Sequence, residues 1–228
     1  MKNQFSRELP PIKIQYQGKD KQLLFLPFSG ECVKTVRKAV ENGYEHLTKF
    51  LPWVHQHNSI EEQAKIFMRF ASTFYGGNEY SFAVYEAATQ EFLLCCSLYN
   101  EGRNPRALAT GYWTTPKHQN KGYATLACQI MVITAFECFQ ADRVGINCNE
   151  ENLASKRVIE KCGFHYEGKI RNYMMEPTEE MLKNGFCKNR THLGFSLLPE
   201  DLKSLSWYKD ILKATVFTSC LGDLLKII

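Results

Sequence analysis

The hydrophobic and polar positions of the chain follow two periods, which predict alternating strands and helices. Apolar runs or period-two alternation, typical of strands, occur at residues 23–26, 80–85, 92–99, 107–114, 143–148, 164–173 and 192–198. Helical spacing occurs at residues 29–42, 60–75, 124–139 and 153–161. This order of elements favours an α/β fold with a mixed sheet.

Several predicted helices carry end signals. Ser59 followed by Glu62 is a capping-box pattern, and Gly76-Gly77 stands where that helix should end. Gly163 marks the end of the helix over residues 153–161. The helix after residue 124 is apolar nearly all round, so we expect it to be buried against the sheet.

Three regions of the chain differ in pattern. Residues 1–21 are polar and contain Pro10-Pro11, so we expect a loosely held N-terminal extension. Residues 22–198 carry the predicted strands and helices and suffice for one domain. Residues 199–228 are expected to form a helical C-terminal tail, because apolar side chains fall at helical spacing there: Phe217, Leu221, Leu224, Leu225 and Ile228. Such a tail could pack on its own domain, which we favour, join a homodimer or meet another partner.

Composition narrows the classes of function. The net charge is +4 without a Lys/Arg cluster, so we expect no nucleic-acid partner. Nine cysteines, an odd number without a C-x-x-C pair, predict reduced and mostly buried thiols in a cytoplasmic protein. We expect no metal, because zinc-ligand spacing is absent, and no membrane association, because no signal peptide or sufficiently long apolar run occurs.

One stretch carries candidate binding chemistry. Residues 118–125 join a predicted strand to the long apolar helix, so the first N–H groups of that helix lack intrahelical acceptors and form an anion site. Gly122 lets a bulky anion approach the main chain, and Lys117 and Lys121 add positive charge. The glycines of dinucleotide and P-loop motifs are missing. We therefore interpret the loop as a pyrophosphate cradle, although glycine is also common at helix starts.

Four motifs in order resemble a known family. Gln119-Asn120-Lys121-Gly122-Tyr123-Ala124 resembles the Q/R-x-x-G-x-G/A signature of the GNAT superfamily of acetyl-coenzyme A-dependent N-acetyltransferases. Three further elements resemble the branch that acetylates the N-termini of ribosomal proteins: Gly111-Tyr112-Trp113, Leu51-Pro52-Trp53, and the run from Asn152 and Ser155 through Gly163-Phe164 to Glu167-Gly168. The resemblance covers most of the chain from about residue 24 to residue 198.

The resemblance implies a fold and a cosubstrate site. The expected fold is GNAT-like, with a mixed, mostly antiparallel central sheet flanked by helices. Acetyl-coenzyme A would be held by loop residues and by main-chain groups of the preceding strand: Gln119, Asn120, Lys121, Gly122, Tyr123, Ala124 and Thr125, with Trp113, Thr114 and Thr115. The same strand could leave an N–H free for the thioester oxygen.

The resemblance also implies roles for single side chains. Asn152 would contact the cosubstrate, or it is simply a helix cap. Ser155 could pass a proton to the leaving thiolate, or it is an ordinary first-turn residue. Trp53 would border the acceptor groove, or it is a core anchor.

The general base is the weakest part of the resemblance. Relatives place a glutamate where this chain has Ala109 or Met174, and many use a tyrosine where it has Ile159. Glu150 is our candidate catalytic carboxylate, with Glu176 nearby, although either could be a solvated surface residue.

A site without an evident base suits an α-amine better than a lysine side chain. Deprotonating an α-amine at pH 7 costs only ~1.4 kcal/mol, against ~4.6 kcal/mol for lysine. The expected acceptor is therefore a protein N-terminus. Alternatives are a small amine such as a polyamine or aminoglycoside, a non-catalytic acyl-coenzyme A-binding regulatory module, and a nucleotide- or phosphate-binding domain.

Overall fold

A computed structural model of the chain describes residues 9–56, 59–222 and 224–225. The strands are β1 Lys13–Gln17, β2 Gln22–Pro27, β3 Glu79–Glu86, β4 Phe92–Asn100, β5 Ala107–Thr114, β6 Arg143–Asn149, β7 His165–Ile170, β8 His192–Leu197, β9 Thr215–Thr218 and β10 Leu224–Leu225. The helices are α1 Val33–Asn42, α2 Tyr44–Leu47, α3 Ile60–Tyr75, α4 Tyr123–Ile133, α5 Leu153–Lys161, α6 Glu179–Lys183 and α7 Tyr208–Lys213.

The strands within these described ranges form one sheet. Its order is β10-β9-β1-β2-β3-β4-β5-β6-β8-β7. Neighbouring strands run antiparallel except β5 and β6, which run parallel. The predicted α/β fold with a mixed, mostly antiparallel sheet is therefore confirmed.

The helix α3 begins and ends where its sequence signals predict. Ser59 Oγ accepts from the N–H of Glu62 at 3.2 Å, and the N–H of Ser59 donates to Glu62 Oε2 at 2.7 Å. This reciprocal capping box satisfies two N–H groups that the first turn leaves without a helical acceptor. The helix ends at Tyr75, directly before Gly76.

Helices cover both faces of the sheet. The helix α4 contributes a continuous buried run from Leu126 to Ile133 to the larger core, which also contains side chains of α5 and α7. The helices α1 and α3 cover the other face. Cys96 lies in the first core and Cys95 in the second, because successive strand residues point to opposite faces. Eight of the nine cysteines are buried free thiols, which confirms their predicted burial.

The α-helical part of the long apolar helix is shorter than predicted. Regular α-helix ends at Ile133, and a π-helical turn, Thr134–Cys138, completes the stretch expected to continue to residue 139. The region from residue 176 to residue 190, which is polar and turn-rich in sequence, contains α6, whose cap is Thr178. The strand expected over residues 164–173 ends at Ile170.

Both ends of the chain differ from the sequence predictions, because they pair with each other. The strand β1 lies in the expected loose extension and pairs with both β2 and β9. The tail contains a short helix, α7, but Phe217 lies in β9 opposite Ile14, and both side chains are fully buried. Leu224 and Leu225 form β10. The expected helix was wrong for these strands, and Ile228 lies outside the described residues.

Strand pairing between segments far apart in the sequence determines the secondary structure of both ends. The apolar residues of the tail are too few to distinguish a helical period from a strand period. Once β1 is available as a partner, the backbone groups of residues 215–218 are satisfied by strand pairing. The sheet therefore extends beyond residues 22–198 at both ends.

The burial of Phe217 leads to a stability prediction. Replacing Phe217 by alanine should lower the free energy of unfolding by about 3–5 kcal/mol, because the change leaves a cavity between β9 and the core. The matched control is Leu221→Ala, since Leu221 is 80% exposed and its loss should cost under about 0.5 kcal/mol. Urea unfolding measures both. Equal effects would contradict the strand assignment and the burial of Phe217.

Candidate active site

The parallel strands β5 and β6 separate partway along their length. They pair only from Ala107 to Ala109 on β5 and from Arg143 to Gly145 on β6, although β5 continues to Thr114. Beyond Ala109, the edge of β5 that faces β6 has no strand partner, so its main-chain groups are available to another extended chain. A cavity of about 620 Å³ opens here, lined from both strands by residues 110–113 and 146–149.

The predicted anion loop follows β5 in the chain and ends at the start of α4. Gly122 caps the helix in the left-handed conformation, with φ +79°. A Cβ atom added there would meet no atom within 4 Å, so the space before the helix N-terminus is open. The Nε2 atom of Gln119 is buried and has no hydrogen-bond partner in the structure. An open approach, free helix N–H groups and an unsatisfied donor fit a pyrophosphate.

The charges around the loop differ from the expectation in detail. Lys117 forms an ion pair with Glu91, and its hydrogen bond lowers the pKa of the Glu91 carboxyl. Lys121 is exposed beside the loop. Lys21, which the sequence analysis missed, places its Nζ 5.6 Å from the centre of the Tyr123 ring. Nothing local in the sequence signals Lys21, because only the fold brings the turn before β2 to the start of α4.

The other loop and strand residues named from the sequence lie in the same region. Tyr123, Ala124 and Thr125 form the first turn of α4 and are partly exposed, and Asn120 has φ +58°. Trp113 lines the cavity. The main-chain groups of Thr115 are already engaged, because its N–H donates to Leu93 O and its carbonyl accepts from the N–H of His118.

Two hydroxyl groups meet where β5 and β6 separate. The Oγ of Ser155 lies 3.1 Å from the Oη of Tyr112, and both residues line the cavity. Burial raises the pKa of Tyr112 well above its ordinary value, so its phenol stays protonated and can donate. Tyr112 was quoted as part of a motif but was not assigned this role, because its partner is 43 positions away in sequence.

Asn152 has the capping role that its position allowed, and it also lies at the cavity. Its Oδ1 accepts from the N–H of Ser155 at 3.1 Å, which satisfies one free donor of α5. The cap holds Ser155 on the first turn of α5. Asn152 is itself among the residues that line the cavity.

Glu150 does not lie with the other candidates. Its carboxylate forms an ion pair with the ammonium of Lys169, whose hydrogen bond lowers the pKa of Glu150. It is not among the residues that line the cavity. Glu176 is 84% exposed and pairs with Arg190. A catalytic role for Glu150 stays a prediction that its position does not support, because the chain turns outward after β6.

The far side of the cavity combines aromatic surface with one carboxylate. Trp53 is 40% exposed, lines the cavity and lies 5.9 Å from the Trp113 ring, so it borders a groove instead of anchoring the core. Glu79 is the single acidic side chain among the described lining residues, and it accepts from Ser81 Oγ at 3.0 Å. The sequence analysis missed Glu79. The signal was the polar pair Glu79 and Ser81, two positions apart in an otherwise apolar strand.

The described residues contain neither a metal-binding cluster nor a membrane-spanning helix. No group of three or more His, Cys, Asp or Glu side chains in the described ranges is arranged to hold a metal ion. No helix in this part of the chain has the length and apolar character needed to cross a membrane.

Comparison with known proteins identifies the family. The acetyltransferase (GNAT) domain matches residues 25–165, which is more than half of the chain. A Bacillus subtilis (strain 168) protein named "Probable N-acetyltransferase YjcK" is 31% identical over 114 residues, a match that spans 50% of this chain and 63% of that protein. The compared region is thus less than two thirds of YjcK.

Solved structures share the fold. RimL, a ribosomal L7/L12 alpha-N-protein acetyltransferase in complex with coenzyme A, superposes with a TM-score of 0.69 at 17% identity, covering 81% of this chain and 97% of that chain. RimJ of Mycobacterium smegmatis, in complex with CoA-disulfide, superposes with a TM-score of 0.71 at 18% identity, covering 84% of this chain and 90% of that chain. Because the family match spans more than half of the chain, the chain belongs to the GNAT acetyltransferase family.

Proposed function

We propose that this protein transfers an acetyl group from acetyl-coenzyme A to a primary amine, and that the amine is the N-terminus of a protein. The observation that carries the proposal is the separation of β5 and β6, which opens a cavity lined by residues 110–113 of the strand that leads into the loop before α4. An unpaired strand edge and a hydroxyl pair thus meet at one opening, and the anion site at Gly122 follows that strand in the chain. The ribosomal-protein acetyltransferases RimL and RimJ share this fold.

The cosubstrate site would consist mainly of main-chain groups. Acetyl-coenzyme A supplies an activated thioester and a diphosphate. The N–H groups at the start of α4, with Gly122 at the closest approach, would hold the diphosphate. Lys121 and Lys21 would add positive charge at its rim. The free edge of β5 between Thr110 and Thr114 would pair with the extended arm of the molecule and offer an N–H to the carbonyl oxygen.

The hydroxyl pair is suited to protonate the leaving thiolate. Ser155 lines the cavity, and its Oγ lies 3.1 Å from the hydroxyl of Tyr112, which also lies 3.3 Å from the Ser155 carbonyl oxygen and can donate to either. The Ser155 hydroxyl would give its proton to the thiolate, and Tyr112, whose raised pKa keeps it protonated, would replace that proton. Asn152 holds Ser155 in place through the main chain.

The acceptor side of the cavity suits a positively charged amine. Glu79 places a carboxylate in its lining, and the Trp53 and Trp113 rings form an apolar wall. No base strong enough to deprotonate a lysine lies among the lining residues. An α-amine, already about a tenth neutral at pH 7, needs none.

A thiol-release assay tests the proposal. Purified protein, acetyl-coenzyme A and peptides that differ in their first residue should release coenzyme A, with acetate appearing on the α-amine by mass spectrometry. Spermidine and an aminoglycoside serve as small-amine comparisons, and turnover only with these would replace the protein acceptor. Binding of coenzyme A without turnover of any amine would instead identify a regulatory module.

The hydroxyl pair gives a prediction for the chemical step. Ser155→Ala should lower kcat by roughly 100-fold, the lower range for lost acid–base catalysis, with the KM for acetyl-coenzyme A unchanged. The α5 cap survives this change, because Asn152 accepts from the main chain of Ser155.

Asn152→Ala is the matched control for the fold. It removes the cap and should lower stability by about 1 kcal/mol, whereas Ser155→Ala should leave the melting temperature nearly constant. Steady-state kinetics and thermal melts of both variants measure these effects. An S155A enzyme with full kcat would exclude the serine from the proton transfer.

A further inference from the structure

A second polar cluster lies in the cavity wall, away from the hydroxyl pair. Its members are His192 at the start of β8, Asn147 on β6 and Tyr173 after β7, and all three line the cavity. His192 Nδ1 lies 2.7 Å from Asn147 Oδ1, and Asn147 Nδ2 donates to the Tyr173 hydroxyl at 3.1 Å. The Tyr173 and His192 rings lie 4.7 Å apart. The ring of His192 is therefore held from two sides.

These contacts determine which nitrogen of His192 is free. Because Asn147 offers its carbonyl oxygen to Nδ1, that nitrogen carries the proton and donates. The Nε2 atom then bears a lone pair. No hydrogen bond joins it to the described residues, and it is not among their buried unpartnered polar atoms, unlike His55 Nδ1 and His118 Nδ1. Nε2 is thus an open acceptor in a residue that lines the cavity.

Strand register brings this acceptor to the reacting end of the cavity. His192 pairs with Asn149 across β6 and β8, and Asn149 is three residues before the α5 cap, Asn152. The cluster therefore lies beside the first turn of α5, which carries Ser155. Across the β7 pairing its neighbour is Ile170, so no charged side chain is paired with it in either strand register.

We infer that His192 Nε2 accepts a hydrogen bond from the amino group of the acceptor, and so selects and orients a primary amine for attack. This assignment rests on the proposed acetyl transfer. Asn147 and Tyr173 would act as positioning residues, since Asn147 holds Nδ1 of the ring and Tyr173 contacts both the ring and Asn147. Glu79 would supply the charge that attracts the ammonium, and His192 the lone pair that directs its N–H.

The neutral state of the ring agrees with this role. Burial lowers the pKa of His192 to about 4, so the imidazole is uncharged at neutral pH. A neutral ring does not repel an incoming ammonium ion. Because its pKa is this low, the ring would accept a hydrogen bond from the amine but would not take up the proton of the amine.

Two substitutions distinguish the role of His192 Nδ1 from that of His192 Nε2. In His192→Asn the side-chain amide can still contact Asn147 but reaches no farther, so the Nε2 position is empty. In His192→Gln an amide oxygen can occupy the Nε2 position. We expect H192N to raise the KM for the peptide amine about tenfold and H192Q to stay within threefold of the wild type, both with an unchanged KM for acetyl-coenzyme A.

His165→Asn is the matched control. His165 lies on the neighbouring strand β7, is 67% exposed and contacts Asp201, so its replacement should leave both KM values unchanged. Steady-state kinetics and thermal melts of all three variants complete the experiment.

Each of the other possible outcomes contradicts either the role of His192 or the proposed function. An H192N variant with wild-type KM for the amine, or H192N and H192Q with equal losses, or a parallel rise in the KM for acetyl-coenzyme A, would remove His192 from amine binding and leave the acetyl transfer intact. A wild-type protein that turns over no amine would overturn the proposed function itself, and this assignment with it.

Discussion

Replacing Gly122 by glutamate is expected to weaken coenzyme A binding by at least about 100-fold. A Cβ atom added at Gly122 meets no protein atom within 4 Å, so a larger side chain can enter the space in which we propose the diphosphate. Its carboxylate would place like charges together and cover the N–H groups of α4. Like-charge contacts of this kind cost several kcal/mol, and ~3 kcal/mol corresponds to ~100-fold in the dissociation constant.

Gly102 provides a closely matched control. It also has a left-handed conformation, with φ +68° against +79°, and a Cβ there also meets nothing within 4 Å. It lies in the turn before β5, at the opposite end of that strand from the anion loop. Gly102→Glu should therefore cause a similar loss of stability, about 1–2 kcal/mol for a left-handed non-glycine residue, without loss of binding.

Isothermal titration calorimetry with coenzyme A, together with thermal melts, distinguishes the two variants. Binding that G122E retains at wild-type strength would remove the anion site, and the proposed cosubstrate with it. Equal losses of binding in both glutamate variants would mean that the fold, and not the site, had been damaged.

The second large effect concerns the acceptor. At pH 7 a peptide with a free α-amine should be acetylated roughly 200-fold faster, in kcat/KM, than the same peptide with a blocked N-terminus and one free lysine. The difference follows from the two deprotonation costs, which differ by ~3.2 kcal/mol when the enzyme supplies no strong base. Among the cavity-lining residues the acceptor side offers Glu79 and a neutral His192.

The kcat/KM values for the two amines should also change differently with pH. For the α-amine, kcat/KM should rise about tenfold per unit up to pH ~8 and then level off, whereas for lysine it should keep rising to about 10.4. No inflection from His192 is expected near pH 6.5, because burial lowers its pKa to about 4. Discontinuous assays over pH 6–10, with mass spectrometry of the products, would measure both curves. Comparable rates for the two amines at pH 7 would refute an α-amine acceptor.

The loop before α4 could be predicted from the sequence because its chemistry is local. A strand, a glycine and a helix N-terminus follow one another within about 20 residues, and the N–H groups they expose belong to the main chain. The cap of α5 was predictable for the same reason, since Asn152 and Ser155 are three residues apart. Capping and turn signals involve residues within one or two helical turns of each other, so they can be recognised in a single sequence.

The other residues of the cavity could not be located in this way. Glu79, Tyr112 and His192 lie on three different strands, and each has an ordinary polar or aromatic place in a strand pattern. Glu150 illustrates the converse, because it adjoins the N-x-x-S motif in sequence but pairs with Lys169 outside the cavity. Closeness in sequence therefore did not predict which side chains line the cavity, because the chain turns away from it after β6.

By itself, the sequence determined the mixed sheet, both ends of α3 and α5 and the loop before α4, because side-chain period and short-range hydrogen bonding are properties of neighbouring residues. Tertiary structure alone decided that β1 pairs with β9, that β5 and β6 separate beyond Ala109, and that His192 meets Asn147. Each of those depends on pairing between segments far apart in the chain, and the pairing is selected by the burial and hydrogen bonding of the whole fold.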